Sequence, residues 1–186
     1  MTAQNAILIA LALPLIGALG IALAGRVSAN LRETVTLVTA GGLAWTVWQI
    51  VPEVMAGGRP GVTLAEVLPG ISIAFTVEPL GMLFAALASG LWIVNSIYSI
   101  GYMRGNAEKN QTRFYVMFAV SLAATMGIAF AGNLFTLFLC YEVLTLATYP
   151  LVSHKGDEKT VRSARVYLGI LLATSIGLFL PAIIWT

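Results

Sequence analysis

The sequence predicts an all-α fold, a polytopic transmembrane bundle of about six helices with both termini on the outer side. Composition is the first reason: hydrophobic residues make up 59% of the 186-residue chain and charged residues only 10%. Ordinary globular domains carry roughly 25% charged residues, and so few charges cannot clothe a water-facing surface. Run length is the second reason. The apolar residues fall in stretches about as long as a bilayer is thick, roughly 20 residues, without the alternation of soluble strands. Residues 1–186 therefore read as a single transmembrane domain.

The spans are expected at about 5–25, 31–51, 79–102, 114–131, 134–152 and 161–185. The first contains a small-x-small pattern, Ala22-Leu23-Ala24, but no Lys or Arg precedes its long apolar run, so a retained span is expected over a cleaved signal. After the second span comes the longest connection, 52–78. It holds Gly57-Gly58-Arg59-Pro60, then Val62-Thr63-Leu64, then an alternating stretch from Ile71 to Val77 that predicts an external strand or hairpin. Glu78-Pro79 opens the third span, with proline at the first helical position and a carboxylate near the positive end of the helix dipole. The 105–112 stretch, with Asn106, Glu108, Lys109, Asn110 and Gln111, reads as a solvated loop. Gly132-Asn133 is a tight turn that makes the fourth and fifth spans antiparallel neighbours. Pro150 closes the fifth span or opens its end to water, and Pro181 in the sixth reads as a kink or a stop.

Basic residues orient the bundle. Arg26 and Arg32 lie in the first connection, Arg104, Lys109 and Arg113 at the third, and Lys155, Lys159, Arg162 and Arg165 at the fifth, which leaves only Arg59 on the opposite side. The positive-inside rule makes the Arg-rich side cytoplasmic, in a cell inner (plasma) membrane protein of several passes. Trp48, Trp185, Tyr102 and Tyr149 fall near span ends, where aromatic anchors sit.

Several function classes drop out. A net charge of +2 with no aromatic-interleaved basic cluster gives nucleic acid no footing. Cys140, the sole cysteine, excludes an intrachain disulfide and a cysteine metal site, and reads as a small core residue. No phosphate-binding glycine loop, nucleophile triad or metal-ligand cluster stands out, so neither an enzyme nor a resident cofactor is expected.

Glu142 lies near the middle of the fifth span. A carboxylate at that depth costs about 2.5–3.5 kcal/mol on insertion scales, and residues kept at such a cost mark ion or proton paths. Thr145 and Tyr149 follow at i+3 and i+7 on the same helical face. Burial disfavours a charged carboxyl and a nearby cation favours it, so a group poised between the two can load and release a proton. The competing reading is a carboxyl that fixes helix packing. His154, the only histidine, follows at the membrane edge and is a candidate shuttle or an ordinary interfacial residue. Arg165, three residues after Arg162, either pairs with Glu142 or snorkels to the headgroups. Asn95 with Ser99, and Ser121 with Thr125, read as helix-packing polar pairs.

These residues resemble a known family. Glu78-Pro79-Leu80-Gly81, Tyr98-Ser99-Ile100-Gly101-Tyr102-Met103 and the run Tyr141 to Leu151 around Glu142 are similar to antiporter-like proton-translocating membrane subunits. Such subunits occur in multisubunit sodium/proton (Mrp-type) antiporters, respiratory complex I and membrane hydrogenases. The wording through Ser153-His154-Lys155 is most similar to the D-type Mrp subunit. The resemblance implies that Glu142 is the membrane-embedded carboxylate of a proton path, and that Arg165 stands where relatives carry a basic residue ahead of an aromatic, here Tyr167. It also implies about fourteen helices in two inverted repeats, each with a broken helix whose lysine serves the path. The sequence given stops at Thr186, short of such a lysine, so the expectation is either that the rest of the path lies on another membrane subunit or that this is a truncated or split member. The expected function is a subunit of a monovalent cation/proton antiporter, exchanging protons and a cation such as Na+. The alternatives are the same subunit type in a redox-driven complex, or a structural or assembly subunit.

Overall fold

A computed structural model describes residues 2–185. The chain forms α1 (Ala3–Val27), α2 (Ala29–Trp48), α3 (Val51–Met55), β1 (Gly61–Leu68), β2 (Ile71–Thr76), α4 (Pro79–Gly105), α5 (Gln111–Ala129), α6 (Leu134–Val152), α7 (Glu158–Thr174), a π-helical turn (Ser175–Phe179) and α8 (Leu180–Trp185). Six helical stretches are long and apolar enough to cross a membrane: α1, α2 with α3, α4, α5, α6, and α7 through α8. The helical expectation therefore holds, with a β-hairpin added to the all-α plan where alternation in 71–77 pointed.

Hydrocarbon offers no partner to a backbone or hydroxyl group, so each must be satisfied within the protein. Ser28 shows this locally: its N–H ends α1 on the Ala24 carbonyl, and its hydroxyl accepts from Leu31 N at 3.1 Å to start α2. Inside α2, the hydroxyls of Thr36, Thr39 and Thr46 each donate to the carbonyl four residues earlier, at 2.8–2.9 Å. The two helices then approach closely where Gly17 faces Thr39, as small residues permit in membrane helices.

The core lies between α1, α2, α4 and α5, with Ile7, Ile21, Leu43, Val47, Trp92, Met126 and Phe130 fully buried. Next to it, α6 packs on α5, with Cys140 seated against Gly127. α7 packs on α6 and is the least buried span, with only Ala164 of its own residues inside. The bundle thus has a closed half and a more open half, and α6 separates them.

The hairpin closes one end of the closed half. β1 and β2 pair antiparallel through a Pro69-Gly70 turn in which Gly70 takes φ +84°, a left-handed value suited to glycine. The free edge of β2 then docks on the α5–α6 turn: Thr76 N donates to Phe130 O at 2.7 Å and Gly132 N to Ala74 O at 2.9 Å. Asn133 caps α6, accepting from Thr136 N at 2.7 Å, and its amide donates to Ser72 O at 2.7 Å. The Gly132-Asn133 turn therefore joins antiparallel neighbours, as its residues predict.

Glu78 stands at the N-cap position of α4, near the positive end of its dipole as expected; its side chain makes no cap bond and pairs with Arg59 at 2.8 Å. Two local expectations change. Gln111, Thr112 and Arg113 belong to the first turn of α5 rather than to a solvated loop or its edge. Pro181 neither stops nor sharply ends its helix. A π-helical turn precedes it and the helix resumes at Leu180; such turns absorb a residue where proline removes a backbone bond.

Close contact between α4 and α5 at the hairpin end depends on Gly81, whose added Cβ would run into the Ala129 carbonyl. Gly81→Ala should lower the melting temperature in detergent, at a cost of about 1–3 kcal/mol. Gly90→Ala, where nothing lies within 4 Å of the new carbon, should leave melting unchanged or raise it.

Candidate functional site

α6 runs unbroken through Leu134–Val152, so Glu142, Thr145 and Tyr149 do share a face. Hairpin contacts to Asn133 and Thr136 fix its beginning. Glu142 lies about 12 Å along the axis from Leu134 and about 15 Å from Val152. Its side chain is half-buried, and Oε1 is wholly buried without a hydrogen-bond partner among the described residues.

Toward the basic end, Thr145 is buried at 3% exposure and Tyr149 is half-buried. The Thr148 hydroxyl donates to Thr145 O and the Ser153 hydroxyl to Tyr149 O, both at 2.9 Å. Pro150 sits in the last turn and has no N–H to return to the Leu146 carbonyl. His154 follows just past the helix, with its ring edge-on to Phe114 at 5.7 Å and its carbonyl accepting from Arg113 at 3.1 Å. Both imidazole nitrogens are buried and unpartnered among the described residues. Glu142 and His154 are about 18 Å apart along the axis, so no direct contact joins them. Buried polar groups of this kind are commonly served by ordered water.

Arg165 is not brought against Glu142. It is exposed on α7 and lines a cleft with Gly156, Glu158, Val161 and Arg162. Leu137 and Tyr141 of α6 line one cavity with Thr174 at the end of α7 and Ser175 of the π-helical turn, which sets the register of the two helices. Arg165 then lies roughly 9 Å closer to the basic end than Glu142.

A second charged centre escaped the sequence reading. Arg32 and Glu33 open α2 and are buried at 6% and 5% exposure. Arg32 donates to Glu33 Oε1 at 3.0 Å, to Gln111 Oε1 at 2.8 Å and to Thr112 Oγ1 at 3.3 Å, and its guanidinium lies 5.1 Å from the Tyr115 ring centre. Arg104, at the end of α4, donates to both oxygens of Glu33. The Gln111 amide donates to Met103 O at 3.1 Å and Glu108 O at 3.0 Å. This cluster ties α2, α4 and α5 together at the basic end. Counting Arg32 as a loop cation concealed it. The available signal was an acid inside a predicted span beside an arginine.

Comparison with known proteins fits this architecture. Residues 69–115 match the family model described as "NADH-Ubiquinone oxidoreductase (complex I), chain 5 N-terminus". The chain is 25% identical over 180 residues to NADH-quinone oxidoreductase subunit N of Desulforudis audaxviator, covering 96% of this chain and 35% of that one. It is 33% identical over 89 residues to the A-type subunit of the Na+/H+ antiporter of Alkalihalophilus pseudofirmus, covering 47% of this chain and 11% of that one. In fold it matches a chain of the membrane-bound sulfane sulfur reductase, an archaeal respiratory membrane complex, with TM-score 0.77 and 17% identity over 89% of this chain and 33% of that one. These likenesses are to membrane subunits of NADH-quinone oxidoreductases and of Na+/H+ antiporters. It spans about a third or less of the length of those relatives. Those named are N- and A-type subunits, so the matches do not single out the D-type Mrp subunit.

Removing Glu33 strands the buried Arg32 guanidinium. Glu33→Gln should cost about 3–5 kcal/mol, visible as a large fall in detergent melting temperature. Arg59→Gln, which breaks an exposed pair, should cost at most about 1 kcal/mol. Equal effects for the two variants would contradict this assignment.

Proposed function

We propose that this chain is a membrane subunit of a multisubunit monovalent cation/proton antiporter and contributes part of a proton path through Glu142. The observation that carries the reading is the Glu142 Oε1 atom, buried at mid-helix without a donor among the described residues. A carboxyl so placed takes up a proton or a water where its relatives' complexes move ions. Thr145, Tyr149 and His154 mark the way from Glu142 to the basic end, and Arg165 supplies positive charge at that mouth. Other membrane subunits complete the path and supply the basic group that modulates Glu142. The likeness to the D-type Mrp subunit belongs to this proposal, as does placement in the cell's inner membrane.

A second reading keeps the same path in a redox-driven complex. Similarity to subunit N over 96% of the chain favours it. Neighbouring polypeptides in a gently purified complex separate the two, since redox subunits with iron–sulfur or quinone sites accompany only the second. A third reading, an assembly subunit, makes Glu142 a packing group.

Glu142→Gln is expected to abolish pH-driven cation exchange in inverted vesicles while the complex still assembles, and Glu142→Asp to retain part of the flux. Full flux with Glu142→Gln, or loss of assembly in its place, would sink the proton-path reading.

The basic end is proposed to face the cytoplasm, with both termini outside. Lys109→Cys should react with an impermeant maleimide only from the cytoplasmic side, and Glu66→Cys only from the outer side. The reverse pattern would invert the path.

A further inference from the structure

The turn after α6 and the start of α7 enclose an open cleft of about 390 Å³, lined by Gly156, Glu158, Val161, Arg162 and Arg165. Gly156, in the turn between α6 and α7, takes φ +72°, a left-handed value suited to glycine. Of the chain's arginines, only Arg26, Arg162 and Arg165 make no hydrogen bond or ion pair among the described residues. Two of these three stand one turn apart on the same helical face and line the same cavity.

Nearby acids do not neutralise them. Asp157 is occupied as the α7 cap: Thr160 N donates to it at 3.2 Å and the Thr160 hydroxyl donates as well. Those two hydrogen bonds hold its carboxyl below the usual range. Glu158, on the rim, sets one carboxylate against two guanidiniums, with Lys155 and Lys159 close in sequence. Depth matters too. The membrane-length stretch begins at Glu158, so Arg165 lies about 10 Å along the axis from its start. At that depth an arginine stem lies along apolar surface while its head reaches the interface. Guanidinium forks match phosphate oxygens in pairs.

We propose that this cleft binds the phosphate of an anionic phospholipid from the leaflet at the basic end, through Arg162 and Arg165. The site goes beyond the proton path and stands whether or not Glu142 carries protons. Lipid retention, rather than ion flux, is its readout, so the two proposals fail separately.

The test uses the full chain in nanodiscs of equal parts phosphatidylglycerol and phosphatidylcholine, with retained lipid measured by native mass spectrometry. Phosphatidylglycerol should be enriched on the protein. The enrichment should fall about fivefold for Arg162→Gln and for Arg165→Gln, and further in the double variant. Arg162→Lys with Arg165→Lys should keep much of it, and Lys109→Gln all of it, which separates lost charge from lost folding. Unchanged enrichment in the double Gln variant overturns the proposal. Inorganic phosphate that displaces phosphatidylglycerol at millimolar concentration assigns the cleft to a soluble anion and overturns the lipid source. Loss of the lipid when partner subunits assemble assigns the arginines to a partner carboxylate, with the same result.

Discussion

A buried carboxyl oxygen with no donor in reach cannot simply be left inside a membrane protein, because leaving such a group unsatisfied costs about 1–3 kcal/mol, and more when it is charged. Of the four acids within its membrane-length stretches, Glu53 and Glu158 are exposed near the ends, and the other two, Glu33 and Glu142, are treated in opposite ways. Glu33 accepts from Arg32 and Arg104, so both of its oxygens are served by guanidinium donors. Glu142 Oε1 has no such donor among the described residues. A carboxylate tied to two arginines on different helices is a joint, and exchanging its partners would break the fold. One facing no protein donor is free to take a proton or a water. This difference in environment separates the structural acid from the candidate working one.

The surrounding architecture serves the same separation. Arg32, Glu33, Arg104 and Gln111 lock the basic end of α2, α4 and α5, while the hairpin clamps the opposite end through Thr76, Ala74 and Ser72. Between those clamps the closed half has little freedom. Only the start of α6 is held by the hairpin, through Asn133 and Thr136. Its far end carries Pro150 and meets α5 through the Arg113–His154 contact. The candidate acid therefore lies on a helix tied to the hairpin at its start and packed against the closed half.

Much of this could be read from residue order, because hydropathy and local turns are short-range signals. Leu134–Val152 matches its expected limits, and the other spans differ by a few residues because end turns fray and caps decide them. The hairpin followed from the alternation in 71–77, and the tight turn from Gly132-Asn133. The ion cluster was hidden because its partners are 71 to 80 residues apart in sequence. The one local signal, Glu33 beside Arg32 inside a predicted span, does not say which distant helices complete the cluster. The Glu78–Arg59 pair was hidden for the same reason, since Arg59 lies in the preceding connection and nothing in the helix signal mentions it. At the candidate site, Glu142, Thr145 and Tyr149 were legible through helical spacing. The distance of Arg165 from Glu142 was not, because it depends on how α7 registers against α6.

That register bears on how charge can move. With Arg165 roughly 9 Å nearer the basic end than Glu142, no cation from α7 lies level with the acid among the described residues. Positive charge is concentrated at one end, and the acid stands alone at mid-depth. Low dielectric penalises an uncompensated charge at that depth more than one near the cationic mouth. In the proposed path, a proton passing from His154 to Glu142 would leave the cationic mouth for the mid-depth carboxyl. Its release would then need a positive charge or water beside Glu142, and no described residue donates to Oε1 there. The proposal therefore assigns the group that drives the proton off to another chain.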